Sequence, residues 1–269
     1  MEKIDMYFEN IKRQEFAKKY MINSINKGKI NHAYMFEGIE GIGKETFAYD
    51  LAKILLETPH LENAPDCIRV KPEGNSIKIA QIRNLQSDIV IKPHKKYKIY
   101  IIDKAEKMTV EAQNALLKTL EEPPKHVIFI LATTEPHKIP PTIISRCQRF
   151  DFKQISTKEI YEHLVEIIKQ QDLAYEEEAV QLVSELAEGG MRDALSLLDQ
   201  VISYSDDKIT LDDVHALSGT IANHQLLQII KAIEELNFSH VIDLIKDMTE
   251  NGKEPSRIID GLITVYRDL

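Results

Sequence analysis

A glycine-rich segment at residues 38–44 combines the residue types that bind phosphate groups. It reads Gly38-Ile-Glu-Gly41-Ile-Gly43-Lys44, follows a short apolar run at 33–36 and precedes a segment with helical periodicity. Glycines allow backbone N–H groups to approach phosphate oxygens closely, and a lysine at the end of such a loop reaches the β and γ phosphates of a nucleotide. The spacing therefore predicts a strand, a phosphate-binding loop of the Walker A type and a helix.

The residue after Lys44 departs from the Walker A pattern. Glu45 stands where a serine or threonine hydroxyl would bind Mg²⁺, and Thr46 comes one residue later. One helical step turns a side chain by about 100°, so Thr46 does not simply take over that role. A carboxylate 4 Å from a triphosphate costs about 1–4 kcal/mol, unless it binds the metal directly. We expect a loop kept mainly as a scaffold, with weak ATP and Mg²⁺ binding or none.

A second charged group follows the apolar run at 98–103. Asp103 lies where a Walker B aspartate helps to hold Mg²⁺. The next residue, Lys104, replaces the glutamate that orients the attacking water in many P-loop ATPases, and Glu106 is a poor substitute three residues beyond Asp103. These two departures at one site predict that the chain does not hydrolyse ATP efficiently by itself.

Three short apolar runs, at 33–36, 98–103 and 127–134, alternate with helical patterns in the first half. The last two are nearly continuous and rich in β-branched residues, as in strands buried on both faces of a parallel sheet. Residues 109–122 between them predict a helix that ends at Pro123-Pro124, with one apolar face formed by Ala112, Ala115, Leu116 and Leu120. This order predicts an α/β domain with right-handed crossovers.

Strand patterns stop after residue 153. Helical periodicity predicts a small four-helix domain over 157–171, 176–188, 191–204 and 210–218, and three further amphipathic helices over 223–236, 239–251 and 255–269. We expect a P-loop domain at 1–153, a helical lid at 154–219 and the start of a further helical domain at 220–269. The last pattern lacks a C-terminal cap, so we expect the chain to stop inside that third domain.

Composition narrows the class of protein. The chain has 269 residues, of which 43% are hydrophobic and 29% charged, which is the balance of a packed protein. A net charge of −9 argues against independent DNA binding, because phosphate neutralisation dominates such affinity. We find no signal peptide pattern and no apolar run of about 18 residues. The two isolated cysteines, Cys67 and Cys147, predict a reducing cytoplasm and neither a disulfide framework nor zinc.

Four motifs within residues 31–152 resemble the AAA+ subunits of bacterial DNA polymerase III clamp loaders. They are Asn31-His-Ala-Tyr34, Asn114-Ala-Leu-Leu-Lys-Thr-Leu-Glu-Glu-Pro-Pro124, Phe129-Ile-Leu-Ala-Thr-Thr134 and Ile144-Ser-Arg-Cys147. Residues 1–125 resemble delta-prime of Gram-positive bacteria, notably at 72–79, whereas 148–152 and 189–196 are more similar to gamma/tau. The resemblance implies an AAA+ P-loop domain, a helical lid and a helical collar.

The resemblance also implies a role for Arg146 of the Ser-Arg-Cys motif. In this family that arginine reaches the ATP site of a neighbouring subunit, and such arginine fingers supply about 10³–10⁵ in rate in related NTPases. The alternative from the residues alone is an arginine that caps a helix end or pairs with Asp151.

Two further roles are implied in the chain's own site. Thr133 or Thr134 resembles the sensor-1 polar residue, and Arg192 resembles the sensor-2 arginine of the lid, which contacts the γ-phosphate in cis. An ordinary strand-end threonine, and a surface ion pair between Arg192 and Asp193, are the competing interpretations. Retention of Arg192 leaves open nucleotide binding without turnover.

Taken with the resemblance, these features favour a delta-prime-type clamp-loader subunit that helps to load the sliding clamp onto primed DNA. Its expected partners are gamma/tau, delta and the clamp, with primer–template DNA contacted only within the assembly and no membrane. An active gamma/tau-type motor is the alternative, and an AAA+ initiator or helicase loader is a third. Family members commonly carry a four-cysteine zinc insertion, of which only Cys67 is found here, so no zinc is expected.

Overall fold

The computed structural model of the chain describes Phe8, Ile11 and residues 13–61, 64–221, 223–250 and 252–268. The chain divides into two compact units, Met1–Ile155 and Ser156–Leu269. Among the described residues, no helix combines the length and the apolar character needed to cross a bilayer.

The first unit is built on a five-stranded parallel sheet. Its strands are β1 (Ala33–Glu37), β2 (Cys67–Val70), β3 (Lys98–Ile102), β4 (Val127–Thr133) and β5 (Gln148–Asp151). Their order is β2-β3-β4-β1-β5, so the three strands predicted from apolar runs form the centre. All residues of these central strands are buried. The sheet confirms the predicted α/β class and places the carboxyl ends of β1, β3 and β4 side by side.

Helices cover both faces of this sheet: α1 (Glu15–Asn26), α2 (Lys44–Leu55), α3 (Ile79–Ile89), α4 (Val110–Glu121) and the short α5 (Pro141–Ile144). Alternate residues of each central strand enter two separate cores, as the period of two requires. The core on one side contains α1 and α2, and the core on the other contains α3, α4 and α5. On α4 the predicted apolar face is buried at Ala112, Leu116 and Leu120.

One lysine of the 92–98 segment is structural. A short run rich in lysines, such as 92–98, is typical of a solvated loop. Lys98 is nevertheless 3% exposed, and its Nζ lies 2.9 Å from Asp88 Oδ1. Lys92, Lys95 and Lys96 are exposed, as expected. Lys98 differs because it begins the central strand β3.

The second unit is helical. The first four helices are α6 (Thr157–Gln170), α7 (Glu177–Leu186), α8 (Met191–Tyr204) and α9 (Leu211–Ser218), as the periodicity predicts, and a small parallel pair joins β6 (Ala174–Tyr175) to β7 (Lys208–Ile209). Capping boxes begin α6 at Ser156 and α9 at Thr210.

Three more helices complete the second unit: α10 (Asn223–Glu234), α11 (Phe238–Glu250) and α12 (Pro255–Asp268). They share a buried cluster that includes Leu226, Ile229, Met248 and Ile258. A Cβ at Gly261 would lie 2.9 Å from Leu226 Cδ1, so a larger residue there would displace the Leu226 side chain where α12 approaches α10. The predicted division between lid and collar at 219/220 stays a prediction.

Candidate functional site

The glycine-rich loop joins β1 to α2 at the carboxyl end of the sheet. Gly38, Gly41 and Gly43 all have positive φ angles, of 150°, 73° and 96°. A Cβ at Gly38 would lie 3.0 Å from the carbonyl oxygen of Phe152, so this turn has no room for a side chain. The loop therefore has the strand–loop–helix setting that the sequence predicts, with the N-terminus of a twelve-residue helix behind it.

Lys44 is held inside this loop. Its Nζ donates hydrogen bonds to the carbonyl oxygens of Gly38 at 2.8 Å and Ile39 at 2.5 Å, and the residue is 8% exposed. Burial lowers the pKa of Lys44 to about 8, against the opposing effect of nearby carboxylates, of which Glu106 is the strongest. The lysine is placed as the motif requires. Thr46, two residues on, is exposed.

An arginine that sequence reasoning missed lies beside the two carboxylates expected near the metal. Arg69, on β2, forms an ion pair with Glu45, and its Nη2 lies 3.7 Å from Asp103 Oδ2. Its guanidinium also lies 5.2 Å from the ring centroid of Tyr49, in a cation–π contact. Lys71 Nζ is 3.7 Å from Glu45 Oε1 and adds a second positive charge.

These contacts do not fit Mg²⁺. The ion needs oxygen ligands at about 2.0–2.1 Å in octahedral geometry. The carboxylates of Glu45 and Asp103, which the sequence places at the metal position, both face the guanidinium of Arg69. The only sequence signal for Arg69 was a four-residue run, Cys67-Ile-Arg-Val70, which is too short to indicate a strand by itself.

The side chains at the positions that assist hydrolysis in ATPases form pairs within this chain. Lys104 Nζ lies 3.0 Å from Glu40 Oε1, so the chain has a surface ion pair where an ATPase has a carboxylate. Glu106 is buried and accepts hydrogen bonds from Thr133 Oγ1 at 2.8 Å and Thr134 Oγ1 at 3.3 Å. Both predicted sensor-1 candidates thus lie at the site and contact the same carboxylate.

Arg146 lies two residues after α5. Its side chain is 34% exposed, its Nη1 donates to the carbonyl oxygen of Thr142 at 2.7 Å, and its Nη2 donates to Glu121 Oε1 at 3.0 Å. The first contact is the helix-end cap that the sequence indicates as one of two alternatives for this arginine. The suggested pairing with Asp151 is wrong, because Asp151 pairs with Lys153 at 2.7 Å.

Arg192 lies in the second unit. It is exposed at the second position of α8, and its carbonyl oxygen accepts a hydrogen bond from Ser196 Oγ at 2.8 Å. The salt bridges of the described residues do not include the suggested pair of Arg192 with Asp193. Its sensor-2 role stays a prediction.

The two thiols are poorly placed for reaction or metal binding. Burial raises the pKa of Cys67 to about 11 and that of Cys147 to about 12. Among the described residues, no group of three or more His, Cys, Asp and Glu side chains is arranged to hold a metal ion. The expectation of no zinc stays a prediction.

Two family models match this chain. A model described as "DNA polymerase III, delta subunit" matches residues 13–156, and one described as "DNA polymerase III clamp loader subunit, ATPase lid domain" matches residues 159–207. The first covers most of the unit that carries the phosphate loop. The second covers most of α6 and all of α7 and α8, the last of which contains Arg192.

Relatives of known name agree with these models. The chain is 38% identical to DNA polymerase III subunit tau of Bacillus subtilis, over 97% of this chain and 49% of that protein. It is 33% identical to DNA polymerase III subunit gamma of Buchnera aphidicola subsp. Baizongia pistaciae, over 90% of this chain and 70% of that protein. The chain thus spans about half the length of the tau relative.

Solved structures support the fold. The RuvB Holliday junction branch migration motor of Thermotoga maritima superposes with a TM-score of 0.59 at 18% identity, over 84% of this chain and 77% of that chain. A point variant of the same motor gives a TM-score of 0.61, also at 18% identity, over 86% of this chain and 79% of that chain. At this identity the likeness shows the shared architecture of a P-loop α/β unit with a helical lid.

Proposed function

The chain belongs to the AAA+ clamp-loader subunits of DNA polymerase III, and we propose that within this family it acts as a delta-prime-type subunit. In this role it helps to load the sliding clamp onto primed DNA, supplies Arg146 to the ATP site of a neighbouring subunit, and has a degenerate ATP site of its own. ATP and Mg²⁺ bind weakly or not at all at that site.

The pairing of the site's carboxylates is the observation that carries this proposal. Hydrolysis needs a carboxylate or an equivalent group to orient the attacking water, and a metal to neutralise the phosphates. Asp103 faces Arg69, and Glu106 is held by two threonine hydroxyls. Lys104 cannot accept a proton from water. These pairings support a subunit that does not turn over ATP by itself.

The surroundings of Arg146 support its action on a neighbour. Both partners of its guanidinium belong to exposed residues, the carboxylate of Glu121 and the carbonyl of Thr142. An exposed ion pair of this kind contributes about 0–1 kcal/mol, so exchanging it for a phosphate costs little. A planar guanidinium also bridges two phosphate oxygens, which a lysine does not.

Exposed apolar side chains in α11 and α12 support assembly with other subunits. Phe238, Ile242, Ile259 and Ile263 are each more than half exposed. Contiguous exposed apolar surface is typical of protein–protein contacts, and these side chains are the proposed contribution of the last two helices to such a contact. The proposed partners are gamma/tau, delta and the clamp, with primer–template DNA contacted only in the assembly because the net charge is −9. A cytoplasmic location is part of the proposal.

A gamma/tau-type motor is the second candidate. The retained glycines, Lys44 and Asp103, together with 38% identity to a tau subunit, favour it. It requires that Arg69 leave the metal position when nucleotide binds, and that another carboxylate replace Lys104. The delta-prime role needs neither change.

Hydrolysis measured before and after assembly tests the proposal. The chain alone should show negligible ATP turnover. In a loader reconstituted with gamma/tau, delta, clamp and primed DNA, Arg146→Ala should slow hydrolysis at the adjacent ATP site by about 10³–10⁵-fold. Arg146→Lys should restore little of that rate. The matched control is Arg83→Ala, which removes another arginine of the same unit that is exposed on α3.

Two outcomes would contradict the delta-prime role. Turnover by the isolated chain at the rate of an AAA+ motor, abolished by Lys44→Ala, would favour the gamma/tau-type motor. An Arg146→Ala variant that melts many degrees lower while the assembled loader keeps its rate would show that the arginine is structural.

A further inference from the structure

We propose that Arg69 is a built-in cation that takes the place of Mg²⁺ at the phosphate-loop site, so that Glu45 and Asp103 hold a guanidinium where related sites hold a metal. The inference deepens the proposed degenerate site, on which it rests, by naming the residue that blocks it. It concerns metal binding by this chain alone and does not depend on Arg146.

Three adjacent elements bring the residues of this site together. Glu45 is in the first turn of α2, directly after the loop lysine, and Asp103 directly follows β3. Arg69 lies on β2, which pairs with β3, and stands opposite Ile101 in the register. The arginine therefore reaches the carboxyl edge of the sheet from the strand beside the Walker B position. Its ion pair with Glu45 and the 3.7 Å approach to Asp103 place it between the two carboxylates.

Charge and geometry both keep the metal out. A guanidinium is permanently charged and presents five donors in a plane that matches carboxylate oxygens. Its central carbon lies 5.2 Å from the Tyr49 ring centroid, and this contact restrains its orientation. A divalent ion at the same oxygens would have to displace Arg69 and would also be repelled by Lys71, whose Nζ is 3.7 Å from Glu45 Oε1.

Removing the guanidinium should therefore create a metal site. Without Arg69, two carboxylates from neighbouring elements would face each other, with Lys71 beside Glu45 and with Lys44 and Lys104 near enough to Asp103 to interact with its charge. Oxygen-rich sites of this kind bind hard divalent cations such as Mg²⁺ and Mn²⁺. The same change at Arg146 exposes the single carboxylate of Glu121 and creates no such pair.

Titration with Mn²⁺, followed by electron paramagnetic resonance of the free ion, tests this inference. The full chain is compared with Arg69→Ala, Arg69→Lys, Arg69→Ala/Asp103→Asn and the control Arg146→Ala. Arg69→Ala should bind one Mn²⁺ at least about tenfold more tightly than the unchanged chain, a difference of about 1.4 kcal/mol. The lysine variant keeps a cation and should not gain the site, and the double variant should lose it.

Two results would overturn the inference. One is a Mn²⁺ site in the unchanged chain that Asp103→Asn removes. The other is an Arg69→Ala chain that shows the same circular dichroism as the unchanged chain but gains no Mn²⁺. If Arg69→Ala does not fold, Arg69→Gln replaces it, with the same expected gain and the same refuting result. Either failure would leave the test of Arg146 in the assembled loader unaffected, so the two proposals fail separately.

Discussion

Replacing Thr133 by valine is expected to destabilise the first unit through the loss of two hydrogen bonds, of which the one to Glu106 is buried. Thr133 is 1% exposed, and its hydroxyl donates to Glu106 Oε2 at 2.8 Å while accepting from the backbone N–H of Glu135 at 3.1 Å. Valine has the same shape, so no cavity forms. The loss of a hydrogen bond to a charged group should lower the free energy of unfolding by about 1.5–3 kcal/mol.

Thr134→Val is the matched control. The two threonines are neighbours and donate to the same carboxylate, but Thr134 is exposed and its hydrogen bond is 3.3 Å long. Its replacement should change the free energy of unfolding by no more than about 0.5 kcal/mol. A third variant, Glu106→Gln, completes a double-mutant cycle with Thr133→Val, in which a coupling of about 0.5–3 kcal/mol is expected for residues in direct contact.

Urea denaturation followed by circular dichroism gives these differences, and hydrogen exchange of peptides from β4 assigns them to the first unit. In a unit of this size, 1 kcal/mol corresponds to about 2–4 °C in melting temperature. Equal effects of the two valine variants, or a coupling near zero, would show that Glu106 is solvated. The argument that this carboxylate is held by the threonines would then fail.

Three further outcomes are expected. Burial lowers the pKa of Lys44 to about 8, whereas a lysine in an unfolded chain has a pKa of about 10.4, so the unfolded chain binds more protons between these values. The free energy of unfolding should therefore rise from about pH 8 to 10. If the free energy of unfolding of a Lys44→Met chain rises equally, this prediction is wrong. The raised pKa values of Cys67 and Cys147 predict slow alkylation at about pH 8 by mass spectrometry, compared with the chain in urea, and rapid labelling of either would count against burial. Elemental analysis should find no stoichiometric zinc, and about one zinc per chain would refute that prediction.

The centre of the fold was predictable because its strands carry a strong signal. Runs of β-branched residues at 98–103 and 127–134 are buried on both faces, and such runs have few other interpretations. The edge strands β2 and β5 have only four residues each and are partly exposed, so their patterns are weak. Helices such as α6, with strong apolar periodicity and a capping box, were predicted nearly to the residue.

The chemistry of the site was predictable only in part. The places of Lys44 and Lys104 at the site could be predicted from the sequence, because each directly follows a motif residue in the chain. The partner of Glu45 is Arg69 on an edge strand, far along the chain, and its approach depends on β2 pairing with β3. No local pattern contains that information. The sequence indicates that Glu106 is a poor replacement for the missing carboxylate, but it does not indicate that a short 3₁₀ turn at Ala105–Lys107 buries Glu106 against β4.

In the proposed delta-prime role, the site differs from an active one through the pairing of its charged residues more than through their number and type. Carboxylates and cations both surround the phosphate loop, and the ion pairs of Lys104 with Glu40 and of Arg69 with Glu45 are internal to the chain. Each such pair compensates a charge that an active site would direct at metal or phosphate. A substitution at one position alone, such as Lys104→Glu, leaves Arg69 at the metal position. The proposed loss of turnover is thus expected to depend on the whole carboxyl edge of the sheet. The partly exposed Arg146 pairs with Glu121 instead, and it is the residue that we propose acts on a neighbour.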